Sequence, residues 1–113
     1  MEEKLFYATG KRKNAIARVH LKEGRGLFTV NRQPIDEYFK LTVLKMVINL
    51  PFKLVDLSLG NFDIRVNILG GGLNGQAGAI KHGLSKILVE YKPELRAVMK
   101  KEGFLTRDAR IKE

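Results

Sequence analysis

The sequence predicts one α+β domain: a mostly antiparallel, four-stranded sheet with helices on one face. Three observations carry that prediction. The chain has 113 residues, of which 44% are hydrophobic; that is one domain's length, and roughly 65% of such a chain's unfolded surface is buried on folding. Its strand candidates alternate apolar with polar residues, as in a sheet covered on one side only. The elements run in the order ββ(β)ααβαα, with no internal repeat and no linker.

The first strand is expected around Leu5 to Ala8. Asn14 to Lys22 then alternates, with Ala15, Ala17, Val19 and Leu21 on one face and Ile16, Arg18, His20 and Lys22 on the other. The turn signal Glu23-Gly24-Arg25-Gly26 leads into Leu27 to Asn31, which together read as a β-hairpin with a glycine loop. Pro34 suits a first helical turn and Asp36 and Glu37 its positive end, so a short helix is placed near Pro34 to Phe39. Thr42 is positioned to cap a second helix, in which Leu44, Val47 and Ile48 share a face before Pro51 ends it.

Leu54 to Leu59 is apolar without a clear period. Asn61 to Leu69 is the clearest strand, with Phe62, Ile64, Val66 and Ile68 inward. A helix follows from near Gly75 or Gln76 to about Tyr91, with Ile80, Leu84, Ile87, Leu88 and Tyr91 as its stripe. Pro93 starts a further short helix with Leu95, Val98 and Met99 inward, and Gly103 stops it. Phe6, Tyr7, Phe28 and Phe62 fall at core-like positions, which argues against base stacking on the sheet.

Charge narrows the function. Twenty-one Lys and Arg stand against 12 Asp and Glu, a net +9. Self-repulsion of that size points to a polyanion, either nucleic acid or an anionic membrane, with a merely soluble basic surface as the plain alternative. There is no cysteine, so disulfides and thiolate metal sites are excluded, which fits a reducing compartment. The start, MEEKLFYATG, has neither the apolar core of a secretory signal nor an Arg-rich transit pattern. No apolar run approaches the roughly 20 residues of a membrane span.

The stretch ILGGGLNGQAG contains a literal G-x-G-x-x-G at Gly70, Gly72 and Gly75. A dinucleotide fold needs a further parallel strand ending in an acid about 20 residues on. Here YKPELRAVMKKEG reads as helix, and no G-x-x-x-x-G-K-S/T loop occurs. The loop can still serve anions, because clustered glycines expose main-chain amides and the next helix directs its positive end there. Close packing of helix on strand is the other use of Gly75 and Gly78. Gly72→Val is expected to block backbone approach and any positive φ.

Cations flank this loop. Lys11, Arg12 and Lys13 lie consecutively between two strand candidates, as an anion contact or a solvated turn. Arg18 and Arg65 project from polar strand faces, and Lys81 and His82 lie just after the loop. In GFLTRDAR, Phe104 and Leu105 anchor the chain and leave Thr106, Arg107 and Arg110 as donors. His20 and His82 could perform acid–base cleavage of RNA, but no third residue positions them, and no grouping has metal-ligand spacing. Non-catalytic binding dominated by phosphate, sugar and RNA shape is the expectation. An RNA-processing or nucleotide-using enzyme is the alternative, and a general DNA-binding protein a weaker one.

These residues resemble the bacterial-type small-subunit ribosomal protein nine family. The likeness lies in YATGKRKNAIARV, VNRQPIDEYF, GGGLNGQAGAIKHGLSKIL and GFLTRDAR, in the family's order and over nearly the whole chain. It implies a fold like the second domain of small-subunit ribosomal protein five, with a left-handed βαβ crossover against the usual rule. It also implies a place in the head of the small subunit of a cytoplasmic ribosome, bound to the 3′ major domain of its RNA beside other head proteins. No cofactor, metal or membrane is implied.

Matched by position, the RNA contacts are Lys11, Arg12, Lys13, Arg18, Gly70, Gly71, Gly72, Asn74, Gly75, Gln76, Lys81, His82, Thr106, Arg107 and Arg110. Asn74 stands where the bacterial family usually has Ser, another small hydrogen-bonding residue. The family continues into a basic tail that reaches the peptidyl-site transfer RNA. This sequence stops at Ile111-Lys112-Glu113, so that contact is expected of no residue here.

Overall fold

The computed structural model describes residues 5–104. Strands β1 (Phe6–Arg12) and β2 (Ala15–Glu23) form an antiparallel hairpin about Lys13 and Asn14. Strand β5 (Phe62–Leu69) pairs antiparallel with the other edge of β2, from Ile16 opposite Leu69 to Glu23 opposite Phe62. Strand β3 (Phe28–Val30) lies parallel to β5, and β4 (Gln33–Pro34) closes the edge against β3. The sheet order is β1-β2-β5-β3-β4.

An α+β domain with a mainly antiparallel sheet is therefore present, with five strands where four were expected. The pairing differs as well. Glu23 to Gly26 is not a hairpin turn, because β5 lies between β2 and β3. The loop instead crosses the start of β5: the amide of Gly24 donates to the Asn61 carbonyl at 2.9 Å and that of Gly26 to Phe62 at 3.1 Å. The Asp63 carboxylate holds the crossing by accepting the Arg25 amide at 2.9 Å and the Leu27 amide at 3.1 Å. Those two bonds, before any nearby cation, hold its acidity above that of an ordinary Asp. Local turn chemistry proposed a β2–β3 ladder, but the eight-residue ladder available to β5 prevailed over a three-residue one.

Helices α1 (Ile35–Tyr38) and α2 (Thr42–Leu54) connect β4 to β5, and α3 (Leu73–Tyr91) and α4 (Arg96–Lys101) follow β5. Thr42 is the first residue of α2 rather than its cap, which is Leu41. The helix also runs through Pro51. The proline forfeits a bond to the Val47 carbonyl, and burial of Pro51 and of Phe52 works against that loss. Near the other end of the chain Met99 is buried as expected, whereas Val98 is 41% exposed.

The core lies between one sheet face and the helices. Ala15, Ala17, Val19 and Leu21 of β2 and Phe62, Ile64, Val66 and Ile68 of β5 are buried there with Ile80, Leu84, Ile87 and Leu88 of α3. Helix α3 packs on β1 and β2, and α2 packs on α3. Backbones touch where α3 crosses β1: a methyl group on Gly10 would overlap the Ala79 carbonyl oxygen and the Gly83 amide nitrogen. The alternation of β1 therefore places Phe6, Ala8, Gly10 and Arg12 on the helix side. Tyr7, Thr9 and Lys11 face away, so Tyr7, 48% exposed, is not the core residue the sequence suggested.

Candidate nucleic-acid interface

One end of the domain joins two segments far apart in the chain. The hairpin turn holds Lys13 at φ 57°, and the segment leaving β5 holds Gly70 and Gly71 at φ 79° and 74°. A side chain on Gly70 would overlap the Asn14 carbonyl, and one on Gly71 would lie 3.0 Å from the Ala15 methyl. Glycine is required there because the loop is folded onto the hairpin in a left-handed conformation. A literal nucleotide motif thus serves to seat one loop on another.

Helix α3 starts at Leu73, two or three residues before the expected point, with Gly72 as its N-cap. Gly72 has φ −89° and ψ 178°, ordinary extended backbone, and nothing lies within 4 Å of where its Cβ would stand. The expected need for positive φ at Gly72 is thereby removed. No side chain caps the helix, so its first-turn amides, at exposed Leu73 and Asn74 and half-buried Gly75, are presented outward with the positive end of a 19-residue helix.

Gln76 is 9% exposed. Its Nε2 donates to the Gly70 carbonyl at 3.0 Å, and its Oε1 accepts the Tyr38 hydroxyl at 2.8 Å. Both ends of the amide are therefore occupied, and Gln76 braces the loop from beneath. Sequence spacing could not show this, because the partner comes from α1.

The cations divide between two faces. Arg12 lies on the helix side with its stem over Gly78, whose missing side chain makes room for it. Lys81, half-buried on α3, is held below the usual lysine range first by burial and then by the Arg12 guanidinium. Its Nζ sits 4.3 Å from the Phe104 ring centre. Two cations are thus kept together with no carboxylate paired to either among the described residues. His82 Nδ1 accepts the Lys11 amide at 3.2 Å, which fastens α3 to the hairpin. Lys86, outside the expected set, does likewise by donating to the Thr9 carbonyl at 2.8 Å.

Lys11 and Arg12 belong to β1, so only Lys13 of the triplet lies in the turn. The Lys11 and Arg18 side chains rise from the opposite, open face of the sheet, in successive positions back from the hairpin tip. The structure therefore gathers Arg12, Lys13, Gly70 to Gly75 and Lys81 at one end, puts Lys11 at its rim, and sets Arg18 apart from it. Thr106, Arg107 and Arg110 lie outside the described residues. Among those described, no group of His, Asp and Glu could hold a metal. No strand follows α3 within residues 92–104, which removes the dinucleotide fold.

Fold and site together define a small basic α+β domain in which Arg12, Lys13 and Lys81 meet the outward amides of α3 at one end. Residues 10–113 match the family model for ribosomal protein S9/S16. The chain is 55% identical over its full length to the small ribosomal subunit protein uS9 of Syntrophobacter fumaroxidans and covers 86% of that protein. It is 52% identical, with the same coverage, to the protein of that name from Maridesulfovibrio salexigens. The chain belongs to the S9 family of small-subunit ribosomal proteins, whose members are not enzymes.

Proposed function

We propose that the chain is a structural component of the small-subunit head in a cytoplasmic ribosome. It grips the 3′ major domain of the ribosomal RNA by phosphate and backbone contacts, beside neighbouring head proteins. The observation that carries this reading is the seating of the glycine loop on the basic hairpin. That contact brings Arg12, Lys13 and Lys81 together with the open α3 amides, a set of donors that fits phosphate oxygens and offers nothing to activate a nucleophile. The family relatives and the net charge of +9 support it.

Affinity for a folded RNA fragment of the 3′ major domain tests the reading. Neutralising about six phosphates gives a log–log salt slope of about −5 for duplex-like RNA. An affinity that held constant from low to high salt would refute it. Gly72→Val is a second test. The valine has room and an allowed backbone, so the melting temperature stays near wild type. A branched side chain at the helix N-cap would keep a phosphate from closing on the α3 amides, so RNA affinity should fall about tenfold, as for one lost charge-assisted hydrogen bond. Unchanged affinity would remove those amides from the interface.

A further inference from the structure

The open sheet face is a second, separate surface. Its central row is Tyr7, His20 and Arg65, register partners on β1, β2 and β5; the next row toward the hairpin tip is Thr9, Arg18 and Asn67. The Tyr7 ring leans on His20 with centroids 4.8 Å apart at 47°, and its hydroxyl lies 3.1 Å from the Thr9 hydroxyl. These two contacts hold a large ring in one pose while leaving it 48% exposed. Burial, and then the Arg65 guanidinium, keep the His20 imidazole below its ordinary value.

Charge on this face is one-sided. Arg18 and Arg65 are exposed and carry no ion pair among the described residues. The one acid that alternates onto the same side of β5, Asp63, is committed to the amides of Arg25 and Leu27. An acidic protein would answer the two guanidinium groups but would have no use for a fixed, uncharged ring between polar groups. A single-stranded nucleic acid answers all three: phosphates meet Arg18 and Arg65, a base stacks on Tyr7, and Thr9 and Asn67 reach the base edge.

We propose that this face binds an unpaired RNA segment, with Tyr7 as the stacking platform and Arg18 and Arg65 as the phosphate clamps. This surface is distinct from the hairpin end and does not depend on it. The sequence argued against stacking because Tyr7 read as a core residue; its true side of β1 reverses that.

The test uses the full chain and an unstructured RNA decamer carrying 2-aminopurine, whose fluorescence reports stacking. Tyr7→Ala should weaken binding about five- to a hundredfold and abolish the stacking signal, while Tyr7→Phe keeps both. Arg18→Gln with Arg65→Gln, at exposed positions that leave the fold intact, should flatten the salt slope by about 1.4, two phosphates at the single-strand value. Wild-type affinity in Tyr7→Ala and in the double arginine variant would overturn the proposal. So would loss of polyglutamate binding in Tyr7→Ala with decamer binding intact, since the face would then serve an acidic protein. Decamer binding that fell with Arg12→Ala and Lys13→Gly but not with Tyr7→Ala would overturn it too, and leave the hairpin interface standing.

Discussion

Gly10→Ala should lower the melting temperature by roughly 12–24 °C, read by circular dichroism. The added methyl meets the Ala79 carbonyl and the Gly83 amide, both backbone atoms of α3, so no side-chain rotamer can clear it. Either α3 lifts from β1 or β1 shifts in the sheet. Overpacking of this kind costs about 3 kcal/mol, a large share of the roughly 5–15 kcal/mol that stabilises a small domain. At this chain length each kcal/mol moves the midpoint by about 4–8 °C. Gly72→Ala is the control, since its methyl meets nothing within 4 Å. If Gly10→Ala melted within a few degrees of wild type, the contact of α3 with β1 would be slack.

The second large effect is on binding alone. Lys11→Ala, Arg12→Ala and Lys13→Gly together remove three charges from β1 and its turn. Glycine is chosen for position 13 because Lys13 sits at φ 57°, which glycine adopts without strain. Exposed ion pairs contribute up to about 1 kcal/mol each, so affinity for the folded RNA fragment should fall about a hundredfold. The salt slope should flatten by nearly three. The melting temperature should fall only slightly, because Arg12 loses the packing of its stem over Gly78. Filter binding at two salt concentrations, with a melt of the same sample, separates the two effects. A large thermal loss with an unchanged salt slope would make the triplet a structural element.

Much of this molecule was legible from its residues, and the gaps have physical causes. Strand β5 and helix α3 could be read because each keeps one strict period over many residues. Strand β1 is hard to read through: Gly10 supplies no side chain to mark the inward face and Arg12 is a polar residue on it, so the pattern suggests a strand ending at Ala8 with Tyr7 inward. The partner of β2 was misjudged because pairing across 40 residues leaves no local mark, whereas Glu23 to Gly26 carries a strong local one. Charge and spacing mark the glycine loop, the basic triplet, Lys81 and His82 as candidates, and the structure places Lys13, Gly70, Gly71, Arg12 and Lys81 near one another. The parts of the site that depend on the third dimension were missed: the brace through Gln76 to Tyr38, the start of α3 at Leu73, and the separation of Arg18 from the loop.

The seating of Gly70 and Gly71 on Asn14 and Ala15 also governs assembly. A growing chain can close the β1–β2 ribbon early, since its contacts are local. That ribbon would expose Val19 and Leu21 with no cover, because β5 and α3 are made some 40 to 60 residues later. The amide cradle comes into being only when the last large helix docks. On the function proposed above, a copy in which α3 has not docked would carry the cations without the cradle, so docking of that helix would complete the surface offered to RNA.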